Sequence, residues 1–298
     1  METLGEATDR YDATIITPTG SPVARRTPLW LPTRTVSWGF IGLFLVAHAA
    51  WAIAMNLGFR ARLPGLDTLT ANLSGLALLV LGLLFVVGRL RPADVGLRAR
   101  AVGAGLAFTA LYFGLLQLAL LAFASLSGSE VVNIWAGVGA LTAGYLLLAQ
   151  LIGNALYEEI AFRGFLLPQL FVKFRRRGVT AAIVLAVLVS QSLFALAHVP
   201  NRLWVSGLSP ADLPGALLPL FLLGIYFAVL YLLTGNLFAA VGVHALTNEP
   251  LLALVGADGR PLDLPPFLIA VALSLALAAA WRLWRNSRRP PAPDNQRL

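Results

Sequence analysis

The chain has 298 residues, 58% of them hydrophobic and only 12% charged, with a net charge of +8 and a mean hydropathy of +0.78. A water-soluble domain carries about 25% charged residues, so a surface that faces water on all sides is excluded. The absence of cysteine excludes a disulfide framework, a thiolate nucleophile and a cysteine-based metal site.

Residues 1–34 are polar, contain Pro18, Pro22, Pro28 and Pro32, and read as a disordered cytoplasmic tail without a cleavable signal. Charge-free stretches follow at 35–59, 68–88, 101–129, 131–157, 178–197, 213–248 and 264–281. A bilayer core of about 30 Å takes roughly 20 apolar residues as helix, and each stretch is near or above that length. The one that starts at 213 is too long for a single span. Thr234-Gly235-Asn236 divides it into 215–233 and 237–256, with Pro250 interrupting the second part. The expectation is an all-α polytopic membrane protein, a bundle of about eight transmembrane helices over 35–284, with a basic cytoplasmic tail at 285–298. No internal repeat is visible.

The basic residues agree with that count. Arg163 aside, 17 of the 22 Lys and Arg fall in 1–34, 89–100, 173–177 and 282–297, which an eight-helix bundle puts on one side. Only Arg60, Arg62, Arg202 and Arg260 fall on the other. The positive-inside rule then makes both termini cytoplasmic. The same placement points to orientation and anionic lipid headgroups, not nucleic acid, as the meaning of the positive charge. An Ala/Leu/Gly/Arg-rich chain without cysteine fits a high-GC bacterium, so the expected location is a bacterial plasma membrane.

Ionisable side chains inside spans are costly and are functional candidates by default. Here they are His48, then Glu158, Glu159, Arg163, His198, His244 and Glu249, all but His48 in the second half. His48 is read as a packing or interfacial residue. In YEEIAFRG, Glu159 and Arg163 are four apart and share a helix face. Glu158 is turned about 100° away, free to face a cavity as a general base. In SLFALAHVP, Phe194 and His198 are one turn apart near a helix end. In GVHALTNEP, His244 and Asn248 share a face, two donors suited to a developing oxyanion. The plain alternatives are an interfacial helix end for the glutamates and His198, and helix–helix hydrogen bonding for His244 and Asn248. Taken together, the three stretches make the parts list for water-mediated peptide hydrolysis.

At these residues the chain resembles the CPBP family of intramembrane proteases, which includes type II CAAX prenyl endopeptidases and the bacterial Abi proteins. That family carries Glu-Glu-x-x-x-Arg, Phe-x-x-x-His and His-x-x-x-Asn/Asp, present here in order as Glu158–Arg163, Phe194–His198 and His244–Asn248, in a motif core of about 150–250. The resemblance implies Glu158 as general base, His198 as its partner in activating water, and His244 with Asn248 as the oxyanion site. Glu159, Arg163 and Phe194 support them. It implies an eight-helix bundle with its cavity near the cytoplasmic side, acting on a peptide or protein substrate at the lipid bilayer. The helix count, however, puts Glu158 at the inner end of one helix and His198 at the outer end of the next. A tilted or shorter fifth helix, or a deep cavity, has to bring them together.

A metal-free glutamate mechanism is the expectation for cofactors. Zinc is the alternative, with Glu158, His198 and His244 as a three-ligand set, but no H-E-x-x-H or other compact ligand pair fixes it. Two other readings remain: a non-catalytic membrane scaffold or immunity-type protein, and a proton-coupled carrier. Intact motifs weigh against the first and the lack of repeat symmetry against the second.

Overall fold

The computed structural model describes residues 14–16, 22–24, 28, 30–59, 68–256 and 258–288. Among them, seven helices are long and apolar enough to cross a membrane. They are α1 (Trp38–Leu57), α2 (Leu69–Val87), α3 (Pro92–Ser127), α4 (Ala140–Arg177), α5 (Val179–Trp204), α6 (Leu213–Thr234) and, after the shorter α7 (Leu237–Asn248), α8 (Leu264–Ser287). Their outer faces carry large apolar residues such as Leu78, Val86, Leu106, Leu126 and Leu141. That is the reverse of a soluble bundle, whose outward positions are polar, and it is what a lipid-facing surface requires.

The all-α membrane bundle is as expected, but among the described residues its eighth helix is shorter than the other seven. α7 has 12 residues, about 18 Å of helix at 1.5 Å per residue, well short of the bilayer core. It ends at Asn248 because Pro250 follows closely and supplies no backbone N–H. The chain then becomes extended. Leu252–Val255 (β4) pairs antiparallel with Glu130–Asn133 (β3), the segment just after α3. Two earlier strands, Thr14–Ile16 (β1) and Pro22–Ala24 (β2), also pair.

The largest departure from the sequence reading concerns α4. A helix ending at Tyr157 was expected, because charge begins there. Instead α4 runs on to Arg177, so Glu158 lies in mid-helix. The charges do not stop it because they are neutralised in place. Arg163 Nη1 donates to Glu159 Oε1 at 3.0 Å, and both side chains are fully buried. Beyond them Phe165, Leu166, Leu167, Leu170 and Phe171 continue the apolar core. Two wide π turns, Ala149–Ala155 and Glu159–Leu166, flank Glu158. Such turns are rare within helices and are frequent at functional sites.

Two glycines set the course of α4. A Cβ at Gly164 would overlap the Val95 carbonyl, so glycine lets α4 lie directly on the turn that opens α3. Gly178, at φ +89°, reverses the chain into α5. Glu158 stands 20 residues before Gly178 and His198 20 residues after it. Equal arms of one helical hairpin bring the two side chains to the same level, and this resolves the conflict that the helix count created. Neither a tilted nor a shortened fifth helix is needed.

The segments expected to be tails lie largely outside the described residues. At one boundary, Leu31 is buried and Trp30 sets its ring edge-on to Phe171 at 4.9 Å. At the other, α8 continues through Ser287, past position 284.

Candidate active site

Six helices surround a cavity of about 320 Å³. His48 reaches it from α1, Asn72 from α2, Glu158 from α4, His198 from α5, Phe227 from α6, and His244 with Asn248 from α7. Among the described residues, none of α3 or α8 lines it. Those two helices pack against α6 and α7 from behind, in a second apolar cluster around Phe108, Tyr112, Phe227 and Ala278.

Glu158 faces both imidazoles. Its Oε1 is 3.7 Å from His198 Nε2, and its Oε2 is 3.7 Å from His244 Nε2. Both separations are longer than a hydrogen bond, so a water beside the carboxylate would find three polar atoms within reach. The far nitrogens of both rings are engaged. His198 Nδ1 lies 2.9 Å from the Phe194 carbonyl, and His244 Nδ1 lies 2.9 Å from Glu159 Oε1. A carbonyl and a carboxylate are acceptors only, so Nδ1 carries the proton in each ring and Nε2 is left to face Glu158.

Glu159 is the centre of a sealed ionic knot. Its Oε1 accepts from both Arg163 and His244, while Arg163 Nη2 donates to the Gly224 carbonyl at 3.2 Å. The guanidinium lies over the Phe194 ring, 4.3 Å from its centroid. Phe194 in turn meets His198 edge-on at 4.8 Å. Phe194, Arg163, Glu159 and His244 thus form one continuous wall behind Glu158.

Asn248 also lines the cavity and is the most exposed of the motif residues, one turn beyond His244. Its Nδ2 is 3.4 Å from Gln150 Oε1. Gln150 accepts from Asn154 Nδ2 at 3.2 Å and donates to Glu249 Oε1 at 3.3 Å, and Asn154 Oδ1 accepts from Asn72 at 3.3 Å. This amide chain was missed from sequence. Its only sequence signal is a run of uncharged polar residues, Gln150 and Asn154, one turn apart on the helix that carries Glu158. Phe227, stacked on His244 with centroids 4.4 Å apart, gave no signal at all. His48 is packed as expected, with its ring parallel to that of Tyr157 at 5.9 Å, and it lines the cavity too.

Glu158 turns a different oxygen to each imidazole, and among the described residues no group of three His, Cys, Asp or Glu is arranged to hold a metal ion.

A comparison with family models matches residues 140–249 to the type II CAAX prenyl endopeptidase Rce1-like family. No curated protein and no solved structure matches the chain. The matched segment starts at the first residue of α4 and ends just past α7. It contains Glu158, Glu159, Arg163, Phe194, His198, His244 and Asn248, and it lies wholly within apolar membrane helices and their connections. Residues 140–249 of this chain are thus similar to the type II CAAX prenyl endopeptidase Rce1-like family, a family of peptide hydrolases.

Proposed function

We propose that this CAAX-type protease cleaves a membrane-associated peptide or protein with a water activated by Glu158, and that both chain termini are cytoplasmic in a bacterial plasma membrane. The observation that carries the mechanism is the position of one carboxylate 3.7 Å from two Nε2 atoms, with both Nδ1 atoms already occupied. Ionised Glu158 takes a proton from water as its oxygen attacks the scissile carbonyl carbon. His198 Nε2, unprotonated while Nδ1–H is held by the Phe194 carbonyl, accepts from the same water and fixes its direction.

The attack places negative charge on the former carbonyl oxygen. Asn248 Nδ2 is one donor available to it. His244 is the other, but only as imidazolium, because Glu159 holds Nδ1–H and Nε2 gains a proton only in the charged ring. Before attack the carboxylates of Glu158 and Glu159 stand on either side of that charge, and once Glu158 is protonated the oxyanion takes its place. The proton held by Glu158 then passes to the leaving nitrogen, the C–N bond breaks to give a carboxylic acid and an amine, and the remaining water proton moves from the acid to the amine, leaving carboxylate and ammonium with Glu158 ionised again. Glu159, Arg163 and Phe194 do not touch substrate in this scheme. They hold the His244 and His198 rings in place.

Detergent-purified protein incubated with a pooled peptide library, prenylated peptides included, tests the proposal. Wild type is expected to cut, with activity lost in His198→Ala and indifferent to a chelator. Loss on chelation and recovery with zinc would move the mechanism to a metalloprotease. Undiminished cutting by His198→Ala would sink the proposed water activation.

A further inference from the structure

The two ends of the bundle differ in both charge and closure. At one end the starts of α1, α3, α5 and α7 meet the ends of α2, α4, α6 and α8. Gln169 of α4 bonds the backbone of Arg34 and Val36, Arg34 donates to the Arg89 carbonyl, and Arg285 of α8 donates to the Thr234 carbonyl. The basic clusters 89–100, 173–177 and 282–288 all lie at this end. It is sealed from the cavity by the fully buried Glu159–Arg163 pair, by Phe165, and by the contact of Gly164 with Val95.

Exposure of the cavity-lining residues rises toward the opposite end. Along α5, which starts at the basic end, buried Phe194 comes first, then His198, then half-buried Asn201 and Arg202. Along α1 the order is buried His48, then half-buried Asn56, and along α7 it is buried His244, then exposed Asn248. α4 runs the other way, and the order inverts: half-buried Asn154, then Glu158, then buried Phe162. Four helices therefore agree on where the mouth is. It is ringed by Asn56, Asn72, Asn154, Asn201 and Asn248, with Arg202 as its cation, whose Nε is buried and lacks a hydrogen-bond partner among the described residues.

We infer that the cavity opens on the non-cytoplasmic face of the membrane and takes polypeptide segments presented there: exported chains, or the outer ends of membrane-spanning ones. The positive-inside rule puts the basic end in the cytoplasm, and the mouth lies at the other end. A ring of side-chain amides, each able to donate and to accept, suits an extended peptide backbone, which offers both groups at every residue. The resemblance had implied a cavity near the cytoplasmic side, and the level of the mouth relative to the basic turns departs from that. The substrate class rests on the proposed peptide hydrolysis, whereas the side of opening does not.

The chain has no cysteine, so a single introduced one reports its own exposure. Asn201→Cys and, in parallel, Asn56→Cys mark the mouth, and Arg176→Cys marks the basic hairpin. Each full-length variant is treated with a membrane-impermeant maleimide, in spheroplasts and in inside-out vesicles. The expected pattern is labelling of a mouth cysteine in spheroplasts and of Arg176→Cys only in inside-out vesicles. Labelling of the mouth cysteines on the same side as Arg176→Cys, or on neither side, overturns the inference. The pattern is read whether or not the protein cuts anything, so a failure of sidedness is separate from a failure of the protease reading. A single-span reporter with a cleavable segment on either side completes the test. Cutting of the outward segment alone is expected, and cutting of the inward one contradicts the inference.

Discussion

Glu158 and Glu159 are neighbours in the chain and belong to different environments. Glu159 sits in a sealed knot, with no exposure and with Arg163 and His244 on one oxygen. Glu158 sits in a cavity, partly exposed, with an imidazole nitrogen 3.7 Å from each oxygen. A buried charge is tolerated when it is paired and hydrogen-bonded, and a reactive one needs access to water and freedom from tight pairing. One helical step separates the two requirements. In the proposed mechanism the knot orients the rings and the cavity carries the chemistry.

Substitutions should separate these regions. Glu158→Gln keeps the shape and removes the base, so peptide cleavage should fall by about 10³-fold, within the range for general-base loss. Thermal stability in detergent should stay near wild type. Arg163→Met should do the reverse in kind. It leaves the Glu159 carboxylate buried and without its guanidinium, a loss of about 3–5 kcal/mol, seen as a large drop in melting temperature. An Arg163→Met protein as stable as wild type would contradict the assignment of the knot to the fold.

Smaller effects should follow the same division. Asn248→Ala removes one oxyanion donor from an exposed position and should lower kcat by about 10²-fold with little change in stability. Phe227→Leu removes the ring stacked on His244, a contact worth about 0.5–1.5 kcal/mol. It should lower both activity and stability modestly, because Phe227 belongs to knot and cavity alike. Gln150→Leu breaks the amide chain behind Asn248, whose contacts of 3.2–3.4 Å are long. Only a few-fold loss in kcat is expected, of the size of one net hydrogen bond of about 1 kcal/mol. A loss as large as that of Asn248→Ala would show that Gln150 has a more direct part.

Much of this was legible in the sequence for physical reasons. Apolar length reveals spans because the bilayer demands it, so the membrane bundle followed directly. The four-residue spacings Glu159–Arg163 and His244–Asn248 put each pair on a shared face through helical geometry alone. What the sequence hid is equally instructive. Charge at 158–163 looked like a helix end, since the neutralising partners, the Gly224 carbonyl and His244, are 61 and 85 residues away. The true length of α7 was hidden because its apolar run continues past Asn248 into a strand whose partner is the distant β3. Phe227 and the amide chain were invisible because single aromatic or amide residues in an apolar helix acquire meaning only from their neighbours in space.

The most direct test of the claim that Glu158 activates water, and does not itself attack, is hydrolysis in ¹⁸O-labelled water over many turnovers. The products and the Glu158-containing peptide of the enzyme are then weighed by mass spectrometry. One ¹⁸O in the new carboxylate of the product and none in Glu158 is the expected result. Label accumulating in Glu158 would mean that its carboxylate forms a covalent bond to the substrate, and would contradict the mechanism.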